Sequence, residues 1–268
     1  MEGDMGKKIF LLLATGAFIA TITASAMAIG LGGYMTLGGG SATYHFSEFE
    51  YYSSTNMSDS SNLAVGGGFV LDTNAAGNQL FNYRLKIGGE RNWVKREADM
   101  KLSRLHLQNV FGFGVVRTKW VRFWLGPALG GSYTWGDRDS ERYYAGIFTP
   151  SFTWQQIITP GLYDITPTAD IMRDKITKIV YGGFDLGLVL GLNINIGDYV
   201  TLSPEAGFKY AFNWGSQKRE AYWWIPTSIP YVIPVNFGEE KKTLTLKGYE
   251  IYMNFSVMCR VGGDTFRG

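Results

Sequence analysis

The chain has 268 residues, of which 46% are hydrophobic and only 18% are charged, and 35 of them are glycine. Its mean hydropathy of -0.04 is too low for a bundle of membrane helices, and too few charges remain for a disordered chain. The net charge of +2 gives no field of the size that nucleic-acid binding requires, and the single Cys259 excludes an intrachain disulfide and a four-thiolate zinc site.

The first 28 residues have the pattern of a cleaved signal peptide. Lys7 and Lys8 precede an apolar run over 9–22, and the small residues over 24–28 suit signal-peptidase cleavage. A single uncleaved membrane anchor is the alternative, but Thr and Ser residues dilute the end of the run. The sequence therefore predicts residues 1–28 as a signal peptide on an exported protein.

The rest of the chain, 29–268, alternates repeatedly between apolar and other residues, which is the pattern of β-strands with two different faces. The clearest case is 184–196, whose even positions are all Phe, Leu or Ile. Gly197 and Asp198 then suit a two-residue hairpin turn before alternation resumes. The eight predicted strands, in chain order, cover residues 29–38, 63–71, 80–88, 103–115, 120–135, 184–196, 200–214 and 249–261.

The connections between these strands alternate in length, which is typical of a bacterial outer-membrane barrel. The short connections cover residues 72–78, 117–119 and 197–198, and the long ones 39–62, 89–101, 136–178 and 215–245. Glycine and alanine crowd the polar faces of the strands taken together, which suits a narrow interior better than the solvated exterior of a lipocalin-like barrel. We therefore predict an all-β fold: an eight-stranded antiparallel up-and-down transmembrane β-barrel with short periplasmic turns and long extracellular loops.

This pattern over residues 29–262 resembles the small outer-membrane barrels of the OmpX, OmpA-transmembrane-domain and OmpW kind. No signature motif is matched, so the resemblance transfers no functional residues. It implies a monomer in the outer membrane of a diderm bacterium, with its loops extracellular and both termini periplasmic. The expected partners are outer-membrane lipid and, during assembly, periplasmic chaperones and the barrel-assembly machinery.

Charged residues on the polar faces are the first candidates for a functional site. An eight-stranded barrel has an interior that side chains just fill, so inward charges must pair. The predicted lumen network consists of Arg84, Lys86, Arg104, His106, Arg122, Asp185, Glu205, Lys209, Glu250 and Arg260. The sequence favours a structural ion-pair core, and a selective or gated polar pore is the alternative.

Enzymatic and metal chemistry have little support in the sequence. His45 and Ser47 have the spacing that places both on one face of a strand, as in lipid A deacylases, but Glu48 would point to the other face. The chain has only two histidines, His45 and His106, and they lie in different predicted strands or loops. We therefore predict no catalytic residues, no metal site and no cofactor.

The predicted loops are unusually apolar, and exposed apolar patches usually mark contact. The candidate contact residues are Tyr143, Tyr144, Phe148, Trp154, Trp223, Trp224 and Tyr231. They could pack together as a cap. The OmpW resemblance implies instead a hydrophobic mouth, through which small apolar molecules pass sideways into the bilayer. The OmpX resemblance implies an adhesive surface for a host or partner protein. The sequence favours the passage of small apolar molecules slightly over adhesion.

Overall fold

The computed structural model describes residues 29–46, 60–76, 79–95, 100–137, 141–146, 170–226 and 232–261. The predicted signal peptide lies outside the described residues. The strands are β1 (Ile29–Phe46), β2 (Ser60–Asp72), β3 (Phe81–Lys95), β4 (Met100–Arg117), β5 (Val121–Asp137), β6 (Glu141–Gly146), β7 (Asp170–Ile196), β8 (Val200–Pro226) and β9 (Val232–Val261). In this part of the chain, no helix is long and apolar enough to cross a membrane.

Eight of these strands close into a ring. Each strand pairs antiparallel with its chain neighbour, β5 pairs with β7, and β1 pairs with β9 to complete the circle. The short β6 lies outside the ring and pairs with β7, beyond the point where β5 ends. The prediction of an eight-stranded up-and-down barrel is confirmed.

The two ends of the barrel differ. At the end we call the turn end, short connections join β2 to β3, β4 to β5 and β7 to β8, and Ile29 lies opposite Val261. At the other end, the hairpin end, β7, β8 and β9 continue well past the strands that close the ring with them. For example, the last β1–β9 pair joins Phe46 to Leu244, whereas β9 begins at Val232.

The apolar face of every ring strand points outward, as the sequence predicts. Met35 is 70% exposed and Leu188 and Met253 are each 65% exposed, whereas Arg84 and Trp124 are fully buried in the interior. A soluble barrel would show the reverse arrangement. An apolar exterior around a polar, filled interior is the arrangement of a barrel that is surrounded by lipid.

Small residues let the barrel walls approach closely on the inner face. A Cβ atom added to Gly126 of β5 would lie 1.9 Å from the Phe111 carbonyl oxygen of β4. A larger residue at this position would force β4 and β5 apart, so the close spacing of the two strands requires glycine here.

The prediction of long loops is wrong for much of the four segments concerned, which are 39–62, 89–101, 136–178 and 215–245. In the structure β1 continues to Phe46 and β3 to Lys95, while β7 already begins at Asp170. The reason is that a strand segment beyond the bilayer meets water on both faces. It loses the apolar alternation that reveals a strand, while its backbone pairing continues.

Candidate functional site in the barrel lumen

A buried ion-pair cluster fills the lumen toward the turn end. Arg84 of β3 forms ion pairs with Asp72 of β2 and Glu205 of β8, and Lys86 also pairs with Glu205. The Arg84 guanidinium further donates to Asn193 Oδ1 at 2.9 Å and lies 4.6 Å from the centre of the Trp124 ring. We call Asp72, Arg84, Lys86 and Glu205 the lower cluster. Its charges are almost inaccessible to water and compensate one another directly.

A second cluster lies closer to the hairpin end. Arg104 of β4 donates from Nε to Glu90 Oε2 at 2.7 Å and from Nη1 to Glu250 Oε2 at 2.9 Å. Lys209 of β8 lies 3.1 Å from Glu250 Oε1. We call Glu90, Arg104, Lys209 and Glu250 the upper cluster. It joins two sides of the ring, because the neighbouring strands β3 and β4 contribute Glu90 and Arg104, and the neighbouring strands β8 and β9 contribute Lys209 and Glu250.

His106 and Asp185 lie beside the upper cluster. The Tyr34 hydroxyl is 2.6 Å from His106 Nε2, and His106 Nδ1 is 3.2 Å from Glu90 Oε1. Asp185 is only 6% exposed, and its Oδ1 has no hydrogen-bond partner within the described part of the chain. A cavity of about 10 Å³ separates these groups, which is space for roughly one water molecule. It is lined by Thr36, Glu90, His106, Leu107, Gln108, Asp185, Lys209, Tyr252 and Asn254.

The structure places two predicted network residues elsewhere. Arg122 Nη1 donates to the carbonyl of Asn74 at 2.6 Å, and Arg260 donates to the carbonyl of Gly197. Both guanidiniums therefore hold turns at the turn end. No ion pair joins either of them, or Asp185, to another described residue.

Two carboxylates of the clusters were missed by the sequence analysis. Asp72 and Glu90 fall in segments that were assigned to connections, yet both are inward and buried. The alternation contained a signal for Glu90. It shares the even parity of Arg84 and Lys86, so extending β3 by two residues would have placed it in the lumen.

The turn end of the lumen is closed by the chain itself. The connection after β2 folds into the barrel, where Asn74 is 1% exposed and Ala75 is fully buried. Asn193 donates to the Ala75 carbonyl at 2.8 Å and, with Arg122, holds this turn in place. Ala75 also packs in a buried apolar group with Tyr34, Val70 and Met258.

An apolar group closes the other end. Its members are buried side chains from four strands of the ring, namely Val94, Met100, Leu102, Ile179, Tyr181, Leu244 and Leu246. Leu102 is fully buried within it. Because the inward side chains from one end of the described lumen to the other are nearly inaccessible to water, this interior contains packed side chains rather than a water-filled channel.

The loop-contact candidates lie at or beyond the hairpin end. Trp223 and Trp224, which the sequence analysis assigned to a loop, are in β8, and Tyr143 and Tyr144 are in β6. These four are paired strand positions because the hairpins extend beyond the lipid-facing part of the barrel. The remaining candidates, Phe148, Trp154 and Tyr231, lie outside the described residues.

Most of the residues considered for catalytic chemistry fall outside the described part of the chain. No group of three or more His, Cys, Asp and Glu side chains there is arranged to hold a metal ion. His45 lies in β1, while Ser47 and Glu48 lie outside the described residues.

No protein-family model and no curated protein matches this chain. Among solved structures, it is similar to Neisserial surface protein A, with 12% identity over 83% of this chain and 97% of that chain and a TM-score of 0.30. The attachment invasion locus protein Ail of Yersinia pestis has 9% identity over 82% and 99% of the two chains and a TM-score of 0.30. The outer membrane protein AlkL, determined in lipid bilayers, has 9% identity over 87% and 92% and a TM-score of 0.29. The strand pairing of this chain by itself shows the closed barrel.

Proposed function

We propose that this chain is a non-enzymatic outer-membrane protein that uses a closed barrel to hold an extended β-sheet at the cell surface, where the sheet binds a partner protein. The observation that carries this proposal is the packed lumen. A protein whose interior is filled from end to end acts through its exterior or through its ends.

The location follows from the exterior of the barrel. Its outward apolar side chains, such as Met35, Leu188 and Met253, are suited to lipid, and closed barrels cross the outer membranes of diderm bacteria. Short turns in such barrels face the periplasm. We infer that the turn end, with Ile29 and Val261, faces the periplasm and that the hairpin end faces the cell surface.

The hairpin end supplies the contact surface. There, β6, β7, β8 and β9 pair into a sheet that continues beyond the closed ring. Residues 232–243 of β9 pair with β8, and no described residue pairs with their other edge. At about 2.5 Å per tilted residue, these 12 positions correspond to about 30 Å beyond the last β1–β9 pair.

An unpaired strand edge can bind a partner protein through its backbone. Backbone N–H and C=O groups along an edge strand are a template for an extended segment of another protein. The tip also carries Trp223 and Trp224 in sequence, and tryptophan is enriched at the centres of protein interfaces. A protein partner with an extended, apolar-containing segment therefore suits this sheet better than a small polar ligand.

The test removes the tip of the hairpin and leaves the ring intact. Residues 222–236, whose ends Tyr222 and Asn236 are paired, are replaced by an Asn-Gly turn. Bacteria that display the full chain or this variant are compared for adherence to cultured host cells, and a heat-dependent gel shift verifies that both barrels are folded. We expect adherence to fall to the vector level in the variant, and Lys119→Gln at the opposite end serves as the control. Equal adherence of the shortened and full chains refutes the proposal.

The passage of small apolar molecules is the second candidate, and the apolar group around Leu102 favours it. This group lies inside the hairpin end, where an apolar solute from outside would first meet the barrel. A solute that entered there would have to leave sideways, because the charged clusters fill the lumen below. Proteoliposomes that take up a labelled apolar solute faster than protein-free liposomes would support passage. Equal rates would refute it, and planar-bilayer recordings are expected to show no discrete openings.

A further inference from the structure

A water-sized cavity lies beside the upper cluster. Polar or charged groups face this region from six strands of the ring. They are Tyr34 and Thr36 of β1, Glu90 of β3, Arg104, His106 and Gln108 of β4, Asp185 of β7, Lys209 of β8, and Glu250, Tyr252 and Asn254 of β9. This inference is independent of the proposed surface contact.

The charges around the cavity do not balance. Three carboxylates, Glu90, Asp185 and Glu250, face only two permanent cations, Arg104 and Lys209. Arg104 is held by Glu90 and Glu250, and Lys209 is held by Glu250. One negative charge is therefore in excess if His106 is neutral, and Asp185 is the carboxylate without an ion pair to a described residue.

The lower half of the lumen has one positive charge in excess, but this charge lies far from Asp185. There Arg84, Lys86 and Arg122 face Asp72 and Glu205. The extra cation is Arg122, which lies eight residues along β5 from Gly130, the residue paired with Asp185. Eight residues at about 3.3 Å each give about 26 Å, so Arg122 does not act as the counter-charge of Asp185.

Asp185 lies against the backbone of Gly130 and lines the cavity. A Cβ atom built on Gly130 would lie 2.3 Å from Asp185 Oδ1, so this carboxyl packs directly against the glycine backbone. Asp185 is 6% exposed, its Oδ1 accepts no hydrogen bond from a described residue, and it lines the cavity. A carboxylate in such a place is more stable when it carries a proton than when it is ionised.

We propose that Asp185 binds one proton in the folded barrel, as a neutral carboxylic acid, and that the cavity beside it holds one water molecule bonded to this carboxyl. The proton supplies the positive charge that the region lacks. The water supplies the hydrogen-bond partner that Oδ1 lacks. The site is therefore a binding site for a single proton in the middle of the lumen.

Infrared spectroscopy tests this directly on the full chain purified from outer membranes. A protonated carboxyl has a C=O stretching band that a carboxylate does not have. We expect this band at neutral pH, its reversible loss at alkaline pH, and its absence in Asp185→Asn. The matched control is Asp198→Asn, which changes an exposed aspartate of the β7–β8 turn and is expected to keep the band. Absence of the band in the unmodified protein, or its persistence in Asp185→Asn, overturns the proposal.

A sodium ion is the other source of a single positive charge. The spectrum is therefore recorded with sodium and with a large organic cation that exceeds the cavity. The same band in both salts supports the proton. A band that appears only when sodium is withdrawn assigns the site to the metal ion and overturns the proposal.

Stability against pH gives a second readout. A group that is protonated only in the folded state stabilises it at low pH, and this contribution is lost as the pH rises through the folded-state pKa. The ratio of unfolding constants between the unmodified chain and Asp185→Asn should then rise roughly tenfold per pH unit between the ordinary pKa of an aspartic acid and the folded-state pKa, and level off above the folded-state pKa. Glu90, His106, Glu250 and the lysine and tyrosine groups are common to both proteins, so the ratio isolates Asp185. A ratio that does not change with pH overturns the proposal.

Discussion

Glu205→Gln is the substitution that most directly tests whether the lower cluster supports the barrel. Glutamine keeps the size of the side chain but removes the charge that Arg84 and Lys86 share. The side chains of all three residues are at most 1% exposed, so water does not replace the lost partner. Breaking a buried ion pair by removing one partner costs about 3–5 kcal/mol. We expect the upper part of this range, because one carboxylate serves two cations.

The assay is urea-induced unfolding from lipid vesicles, followed by tryptophan fluorescence and by the heat-dependent gel shift. Lys247→Gln, which removes an exposed charge of β9, is the matched control and is expected to change the free energy of unfolding by less than about 0.5 kcal/mol. The double variant Lys86→Met/Glu205→Gln should recover part of the loss, because it also removes one of the two stranded cations. A Glu205→Gln barrel as stable as the Lys247→Gln control would refute the idea that these charges hold the lumen together.

Two further substitutions test the wall of the barrel. Gly126→Ala places a methyl group 1.9 Å from the Phe111 carbonyl oxygen and should cost about 1–3 kcal/mol or prevent folding, whereas Gly33→Ala, whose Cβ would have its nearest neighbour at 3.6 Å, should be nearly neutral in the same unfolding assay. Met253→Arg puts a charge on a 65% exposed outward position near the middle of the β1–β9 pairing and should cost about 2–4 kcal/mol in lipid. Thr243→Arg, beyond the last β1 pair, should cost about 1 kcal/mol or less, and equal costs at the two positions would contradict the placement of the apolar band.

The ring of strands could be predicted because each membrane-facing segment meets opposite demands on its two sides. Leu186, Leu188 and Leu190 face outward, while Asp185 and Val189 face the packed interior, and this alternation is visible in the sequence alone. Beyond the bilayer both faces of a strand meet water, so the alternation of apolar and polar residues disappears. That is why the sequence predicts a loop where the strand continues from Trp214 to Pro226.

The candidate site was only partly predictable. Alternation identifies Arg84 and Glu205 as inward residues, but their contact depends on how eight strands close across 121 positions of sequence. The same limit applies to the bond between Tyr34 and His106, whose positions differ by 72. The burial of Ala75 was not predictable either, because nothing in a short polar turn distinguishes folding into the lumen from projecting into solvent.

The charges in the lumen have a physical role that differs from conduction. In lipid, an apolar interior would give a strand no preference between its two faces, since both sides would be suited to apolar residues. A buried cation such as Arg84 removes that ambiguity, because a shift of one residue in register would turn it toward the lipid. The partners of Arg84 come from β2, β7 and β8, so this inward charge fixes β3 relative to strands elsewhere in the ring. We infer that the polar clusters set the register of the strands, and under the proposed function a lumen filled for that purpose leaves binding to the sheet at the hairpin end.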